Sequence, residues 1–113
     1  VRVDVDAVPF ATLQQLDAGK WFGERFVGER LPTLEQALRA IRPAVPMIER
    51  KGGDARSLVA ELQRLEVVDE VLVQSFDWDW LAAVHGLEPR LAIAALGDEP
   101  PTPERLAELS RTG

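Results

Sequence analysis

Three short apolar runs in the last two thirds of the chain predict β-strands. The runs cover residues 45–50, 70–76 and 90–96, and each has few turn formers and an aliphatic or β-branched core. Short, nearly continuous apolar runs of this kind are typical of strands that are covered on both faces. Their starts lie roughly 20 to 25 residues apart, which is the spacing expected of βα units.

Helical patterns fill the intervals between these strands. Apolar stripes with helical spacing follow Asp54 and Asp77, and either aspartate can cap the helix that it precedes. Upstream, Thr33-Leu34-Glu35-Gln36 forms a capping box and predicts a helix that stops before Pro43. A last helix is predicted to begin at Thr102-Pro103-Glu104, where proline takes the favoured first position.

The amino-terminal part of the chain has a weaker pattern. Thr12-Leu13-Gln14-Gln15 predicts the start of a short helix, and residues 17–30, rich in glycine and aromatic residues, predict an ordered loop. We therefore expect one partial domain over residues 1–113. Residues 1–32 would form a loop-rich insertion region, and residues 33–113 would form alternating helix and strand units.

The order β-α-β-α-β with short connections predicts an α/β fold with a parallel sheet and right-handed crossovers. Three strands without neighbours would leave open ladders on both sides. A closed βα barrel typically needs about twice this length or more. We therefore predict that the three parallel strands are an internal piece of a larger βα barrel.

Composition narrows the classes of function. The chain has 113 residues, 46% of them hydrophobic, a formal net charge of -6 and a pI near 4.8. This charge argues against general binding of nucleic acid or of anionic membranes. There are no cysteines, which excludes disulfides and thiolate metal sites. No signal peptide or membrane-length apolar run is visible, so a cytoplasmic location is favoured.

The residues that suggest chemistry stand at the end of the first predicted strand. Strand alternation places Met47, Glu49 and Lys51 on one side of the backbone, opposite Ile48 and Arg50. Active sites of α/β folds are built at the carboxyl ends of parallel strands. A carboxylate beside an ammonium there suits a hard cation and a phosphate. The alternative is a strand end that runs into solvent with its charges hydrated.

Four segments stand in a characteristic order and spacing along nearly the whole chain. They are Leu16-Asp17-Ala18-Gly19-Lys20-Trp21-Phe22, the run from Gly28 through Thr33 to Leu38, Ile48-Glu49-Arg50-Lys51, and Val71-Leu72-Val73-Gln74-Ser75-Phe76-Asp77. Together they resemble the glycerophosphodiester phosphodiesterase family. The Gly-Glu-Arg-Leu-Pro-Thr-Leu-Glu run followed by a Glu-x-Lys strand is fairly specific in combination.

The resemblance implies an α/β fold that is part of a TIM (βα)8 barrel, from about its third helix to its sixth, with three parallel strands. It implies that the whole protein hydrolyses glycerophosphodiesters to an alcohol and glycerol 3-phosphate, as part of lipid metabolism, with a divalent cation (Ca²⁺ or Mg²⁺). It implies that Glu49 is a metal ligand and that Lys51 lies close to the substrate phosphate. Ser75 and Phe76 would line the substrate pocket.

The chain also departs from the family pattern. The family's two acid-base histidines and two further acidic metal ligands are not matched, so the resemblance implies no catalytic residue within this chain. The only histidine is His85, which we expect on a helix surface. We therefore expect the 113-residue chain alone to be inactive.

Two other functions stay open at the level of sequence. One is a non-catalytic module, a shortened barrel whose open sheet edges pair with a second copy or a partner. The other is a βα-barrel enzyme of different chemistry that shares the Glu-x-Lys strand end.

Overall fold

The computed structural model describes residues 4–112. Its contacts divide the chain into two compact units that meet between Ala40 and Ile41. The smaller unit comprises residues 4–40 of the described chain, and the larger comprises residues 41–112. None of the helices in residues 4–112 is long and apolar enough to cross a membrane.

The smaller unit contains α1 (Phe10–Leu13), short 3-10 helices at Val5–Ala7 and Glu24–Phe26, and all of α2 (Leu34–Ile41) except its last residue. The predicted helix start at Thr12 is wrong. The first turn begins earlier because the carbonyl of Pro9 accepts hydrogen bonds from the N–H groups of Thr12 and Leu13.

The capping box of α2 is confirmed, with reciprocal hydrogen bonds between Thr33 and Gln36. The backbone N–H of Gln36 donates to the Thr33 hydroxyl at 3.1 Å, and the Thr33 N–H donates to the Gln36 side chain at 2.9 Å. Two N–H groups that a helix start leaves without partners are thereby satisfied.

The loop between α1 and α2 is held by the side chain of Asp17. Its carboxylate accepts hydrogen bonds from the backbone N–H groups of Gly19, Lys20 and Gly28 at 2.8–2.9 Å. A Cβ at Gly19 would lie 2.1 Å from the carbonyl oxygen of Phe26, so only glycine fits this turn. The expectation of an ordered loop is confirmed.

The larger unit contains the sheet, with strands β1 (Met47–Glu49), β2 (Leu72–Ser75) and β3 (Ala92–Ala95). All pairs are parallel and the order is β1-β2-β3, which confirms the predicted three-stranded parallel sheet. Each strand is shorter than its apolar run. Val68–Glu70 forms a 3-10 helix, so the beginning of the second run leads into the strand without joining its ladder.

Helices follow the strands as the sequence predicts. They are α3 (Ala55–Arg64), α4 (Trp78–Leu87) and α5 (Pro103–Thr112). Asp54 caps α3 by accepting from the N–H of Ser57, and Asp77 caps α4 by accepting from the N–H of Trp80. The backbone order is thus that of consecutive βα units.

The two faces of the sheet differ in burial. In β2, Val73 and Ser75 are 0% and 1% exposed, whereas Leu72 and Gln74 on the other face are only half-buried. The expectation that the strands are covered on both faces is therefore wrong for residues 4–112. An apolar run fixes the burial of a strand only where a second layer lies against it, and α3 and α4 cover one face.

A buried carboxylate, that of Glu88, lies near the amino-terminal ends of β2 and β3. It accepts hydrogen bonds at 3.0 Å from Gln63 and from the guanidinium of Arg90, which also pairs with Asp69 at 3.4 Å. The hydrogen bonds from Arg90, and after them the bond from Gln63, lower the pKa of Glu88 to about 2. These bonds tie α3 to the turn that leads into β3.

Candidate functional site

The carboxyl end of β1 brings together the two residues for which the resemblance implies metal and phosphate contacts. The ammonium of Lys51 lies 2.5 Å from Oε1 of Glu49. Strand alternation predicted that both side chains leave the backbone on one side, and this contact agrees with that prediction. The Lys51 side chain is 80% exposed and that of Glu49 is 30% exposed. The ammonium is therefore accessible to an anion, while the carboxylate is partly shielded.

Sheet register places Glu49 on the half-exposed face. Its neighbour in β2 is Gln74, and the neighbour of Gln74 in β3 is Ala94. Partners in a parallel register point to the same face, so the three form a row across the sheet. If the alternation of β2 continues by one residue, Phe76 also belongs to this face, and it is 55% exposed. Glu49 thus lies on the side that α3 and α4 leave uncovered.

Ser75 occupies the opposite face. It is 1% exposed, and its hydroxyl accepts a hydrogen bond from the N–H of Asp77 at 3.0 Å. The side chain thereby holds the turn between β2 and α4. We therefore expect a supporting role for Ser75 in place of the pocket-lining role implied by the resemblance.

Arg50 is a residue whose importance sequence reasoning missed. Its guanidinium donates to the carboxylate of Asp77 at 3.0 Å and to the carbonyl of Gly53 at 3.2 Å. The guanidinium carbon also lies 5.2 Å from the ring centroid of Trp80. Alternation did place Arg50 on the face opposite Glu49, but no pattern in the chain indicated a partner 27 residues away.

The Gly52-Gly53 turn leads into the cap of α3. The side chain of Asp54 accepts from the N–H and the hydroxyl of Ser57, at 2.9 and 2.7 Å. These hydrogen bonds lower the pKa of Asp54 below its usual range, and the bond from the Ser57 hydroxyl is the largest cause. The start of α3 thus places a negative charge beside this turn.

His85 lies far along α4 from the end at which Asp77 caps it. The helix starts beside the carboxyl end of β2, so its last turn, which contains His85, lies toward the other end of the sheet. The side chain is half-buried, and its Nδ1 is buried without a hydrogen-bond partner. The expectation of an ordinary helix-surface histidine is wrong in this respect, because the ring packs partly inward. Its position is unsuited to acid-base chemistry at Glu49.

Among residues 4–112, the half-exposed face of the sheet carries the Glu49 carboxylate at the end of β1. Residues 4–112 contain no group of three histidine, aspartate or glutamate side chains that could hold a metal ion. Mg²⁺ and Ca²⁺ need several oxygen ligands, so Glu49 fits as one ligand and does not make a site by itself.

Comparison with known proteins identifies relatives of one kind. The glycerophosphodiester phosphodiesterase of Bacillus subtilis is 34% identical over an alignment of 106 positions, and the match covers 76% of this chain and 36% of that protein. A second protein of Bacillus subtilis, YhdW, is 33% identical over 90 aligned positions, and the match covers 74% of this chain and 37% of YhdW. The glycerophosphodiester phosphodiesterase of Caldanaerobacter subterraneus subsp. tengcongensis is 32% identical over 92 aligned positions, and the match covers 74% of this chain and 38% of that protein.

A search of protein-family models gives no match. The chain spans little more than a third of the length of the curated relatives that it matches. Each relative matches about three quarters of this chain, and about a third of the aligned residues are identical. By sequence the chain therefore belongs to the glycerophosphodiester phosphodiesterase family, to which the order of its motifs pointed.

Proposed function

We propose that the protein carrying this chain hydrolyses glycerophosphodiesters to an alcohol and glycerol 3-phosphate, in a metal-dependent reaction of lipid metabolism. The observation that carries the proposal is the Glu49–Lys51 pair at the carboxyl end of β1, on the half-exposed face of a parallel sheet. The names of the relatives support it. A non-catalytic shortened barrel is not favoured by those names.

The proposed architecture is part of a TIM barrel. In such a barrel the helices lie outside and the active site lies at the carboxyl ends of the strands. The larger unit has the corresponding arrangement, with α3 and α4 on one face of the sheet and Glu49 on the other. The half-exposed face would then point to the barrel interior.

Glu49 would supply one carboxylate oxygen to a Ca²⁺ or Mg²⁺ ion, with the other ligands coming from residues outside the described part. When bound, such a cation would offset the charge of the substrate phosphate.

Lys51 would bind the phosphate of the substrate as a point charge. The Lys51 side chain is 80% exposed and its ammonium lies 2.5 Å from the Glu49 carboxylate, so the ammonium would attract the phosphate beside the proposed metal ligand. Phe76, which is exposed at the end of β2, would pack against the glycerol or alcohol portion. Proton transfer would fall to groups other than His85.

The test is an assay of glycerol 3-phosphate release from a glycerophosphodiester such as glycerophosphoethanolamine. The release is measured with Ca²⁺ or Mg²⁺ present and again after the cation is removed with a chelator. We expect the protein as encoded, that is, the full protein that carries this chain, to release glycerol 3-phosphate with a divalent cation and to lose this activity with the chelator. The 113-residue chain by itself is expected to release none. Absence of release by the encoded protein with either cation would refute the proposal.

A further inference from the structure

Arg50 stands between the two residues of the proposed site and points to the other face of the sheet. Glu49 and Lys51 precede and follow it, and they contact each other on the half-exposed face. The Arg50 side chain instead reaches Asp77 and lies over Trp80, both on the side of α4. One side chain is thus anchored on the helix side while its two neighbours project from the opposite side.

We propose that Arg50 is a positioning residue that sets the direction of Glu49 and Lys51 by clamping the end of β1 to the amino-terminal end of α4. The inference rests on the function proposed above and deepens it. The clamp has two charged hydrogen bonds, to the carboxylate of Asp77 at 3.0 Å and to the carbonyl of Gly53 at 3.2 Å.

The other end of the clamp is itself fixed. Asp77 accepts the N–H of Trp80 at 3.0 Å as the cap of α4, and its own N–H donates to the Ser75 hydroxyl at 3.0 Å. Trp80 is 9% exposed. Arg50 is thus attached to a helix start that is buried and held by its own hydrogen bonds.

The backbone transmits this anchor to the neighbouring side chains. The N–H of Arg50 donates to the carbonyl of Gln74 at 3.0 Å, which is a ladder bond just beyond the last residue of β1. Glu49 is the last residue of β1 and Lys51 begins the bend after it, so fixing the backbone at Arg50 fixes the directions of both neighbouring side chains. Without the clamp, the short strand would fray at this bond.

The clamp needs an arginine. The guanidinium offers several N–H donors in one plane, so it can donate to Asp77 and to Gly53 while it lies over Trp80. A lysine ammonium keeps the charge but concentrates its donors at one point, and it cannot reproduce both bonds. A methionine would keep the apolar stem and remove all the donors.

The test compares Arg50→Met, Arg50→Lys and Asp77→Asn with Arg42→Met. Asp77→Asn keeps a side chain that can cap α4 and removes the ionic partner of Arg50. Arg42→Met is the matched control, because Arg42 pairs with Glu70 at 2.7 Å near the beginnings of β1 and β2. It removes one arginine-carboxylate bridge at the opposite end of the same two strands.

Amide hydrogen exchange in the full protein that carries this chain reports on the anchor independently of any activity. The amide at position 50 is expected to exchange about tenfold faster in Arg50→Met and Asp77→Asn, since a charge-assisted bond has been lost. Arg42→Met should leave that amide unchanged. Equal exchange in all variants would refute the clamp.

Hydrolysis by the protein as encoded reports on positioning. We expect Arg50→Met to lower kcat/KM by about 10- to 100-fold and to raise the cation concentration for half-maximal activity, as is usual when support for a metal ligand is removed. Arg50→Lys should retain more activity than Arg50→Met, and Arg42→Met should match the wild type. Wild-type rates in Arg50→Met would refute the inference. If the wild type itself does not hydrolyse the substrate, the proposed function fails, and the exchange rates alone decide on the clamp.

Discussion

The ammonium of Lys51 lies 2.5 Å from the carboxylate of Glu49, although the Lys51 side chain is 80% exposed. Ion pairs this exposed contribute about 0–1 kcal/mol to stability, because water solvates and salt screens both charges. The pair is therefore of little use to the fold. Its position at the end of a parallel strand is what links it to function.

Removal of the Glu49 charge should leave stability nearly unchanged. For Glu49→Gln we expect the free energy of unfolding to change by less than about 1 kcal/mol, measured by chemical denaturation. The control is Glu61→Gln, which breaks the exposed pair of Glu61 with Arg64 on α3. A loss several times that of the control would show that Glu49 is structural, in conflict with a role at the site.

A cavity at Leu62 should destabilise the larger unit strongly. Leu62 lies in α3 and is 0% exposed, so Leu62→Ala should lower the free energy of unfolding by about 2–5 kcal/mol. Leu106→Ala is the matched control, because Leu106 in α5 is 49% exposed and its truncation should cost less than about 1 kcal/mol. Similar losses for the two variants in urea denaturation would contradict this description of the core.

The Glu88 carboxylate should make stability depend on acid pH. Its folded pKa of about 2 lies below the ordinary value of 4.5, chiefly because of Arg90. A lowered folded pKa gives a contribution that is present above the unfolded pKa and is lost as the pH falls through the folded one. We therefore expect Glu88→Gln to be less stable than the wild type at pH 7, with the difference shrinking between about pH 4.5 and 2. A difference that stays constant over this range would contradict the cause assigned to the shift.

The end of α3 carries a backbone strain that a substitution should relieve. Glu66 has a φ of 57°, in the left-handed region, and follows the last turn of α3 in the position where glycine is preferred. Glu66→Gly should raise the free energy of unfolding by about 1 kcal/mol. Gly53→Ala is the opposite control. Gly53 has a φ of 84° with no atom within 4 Å of an added Cβ, so alanine there should destabilise through backbone strain alone. If thermal unfolding moves in the same direction for both variants, the strain argument fails.

Most of the element order could be predicted from local patterns. The capping residues Thr33, Asp54 and Asp77 act within three positions along the chain, so sequence alone determined where their helices begin. Apolar runs located the strands but not their ends, as at Glu70, which lies in a 3-10 helix. The coverage of the two sheet faces depends on neighbouring layers, which one strand's sequence does not encode.

The sequence predicted only the part of the candidate site that depends on the alternation of side chains along a strand. Contact between Glu49 and Lys51 follows from a separation of two residues at the end of one strand. The Arg50–Asp77 bridge spans 27 residues and depends on strand register, so no local pattern indicates it. The resemblance carries no information on the sheet face of Ser75, which is 1% exposed on the helix side.

The most direct measurement is cation-dependent hydrolysis of a glycerophosphodiester by the protein as encoded, for the wild type, Glu49→Gln and Glu61→Gln. The account predicts that Glu49→Gln raises the cation concentration for half-maximal activity and lowers the maximal rate of glycerol 3-phosphate release, each by about tenfold or more, because a ligand oxygen has lost its charge. Glu61→Gln should behave as the wild type. Unchanged cation dependence and rate in Glu49→Gln would contradict the assignment of Glu49 as a metal ligand.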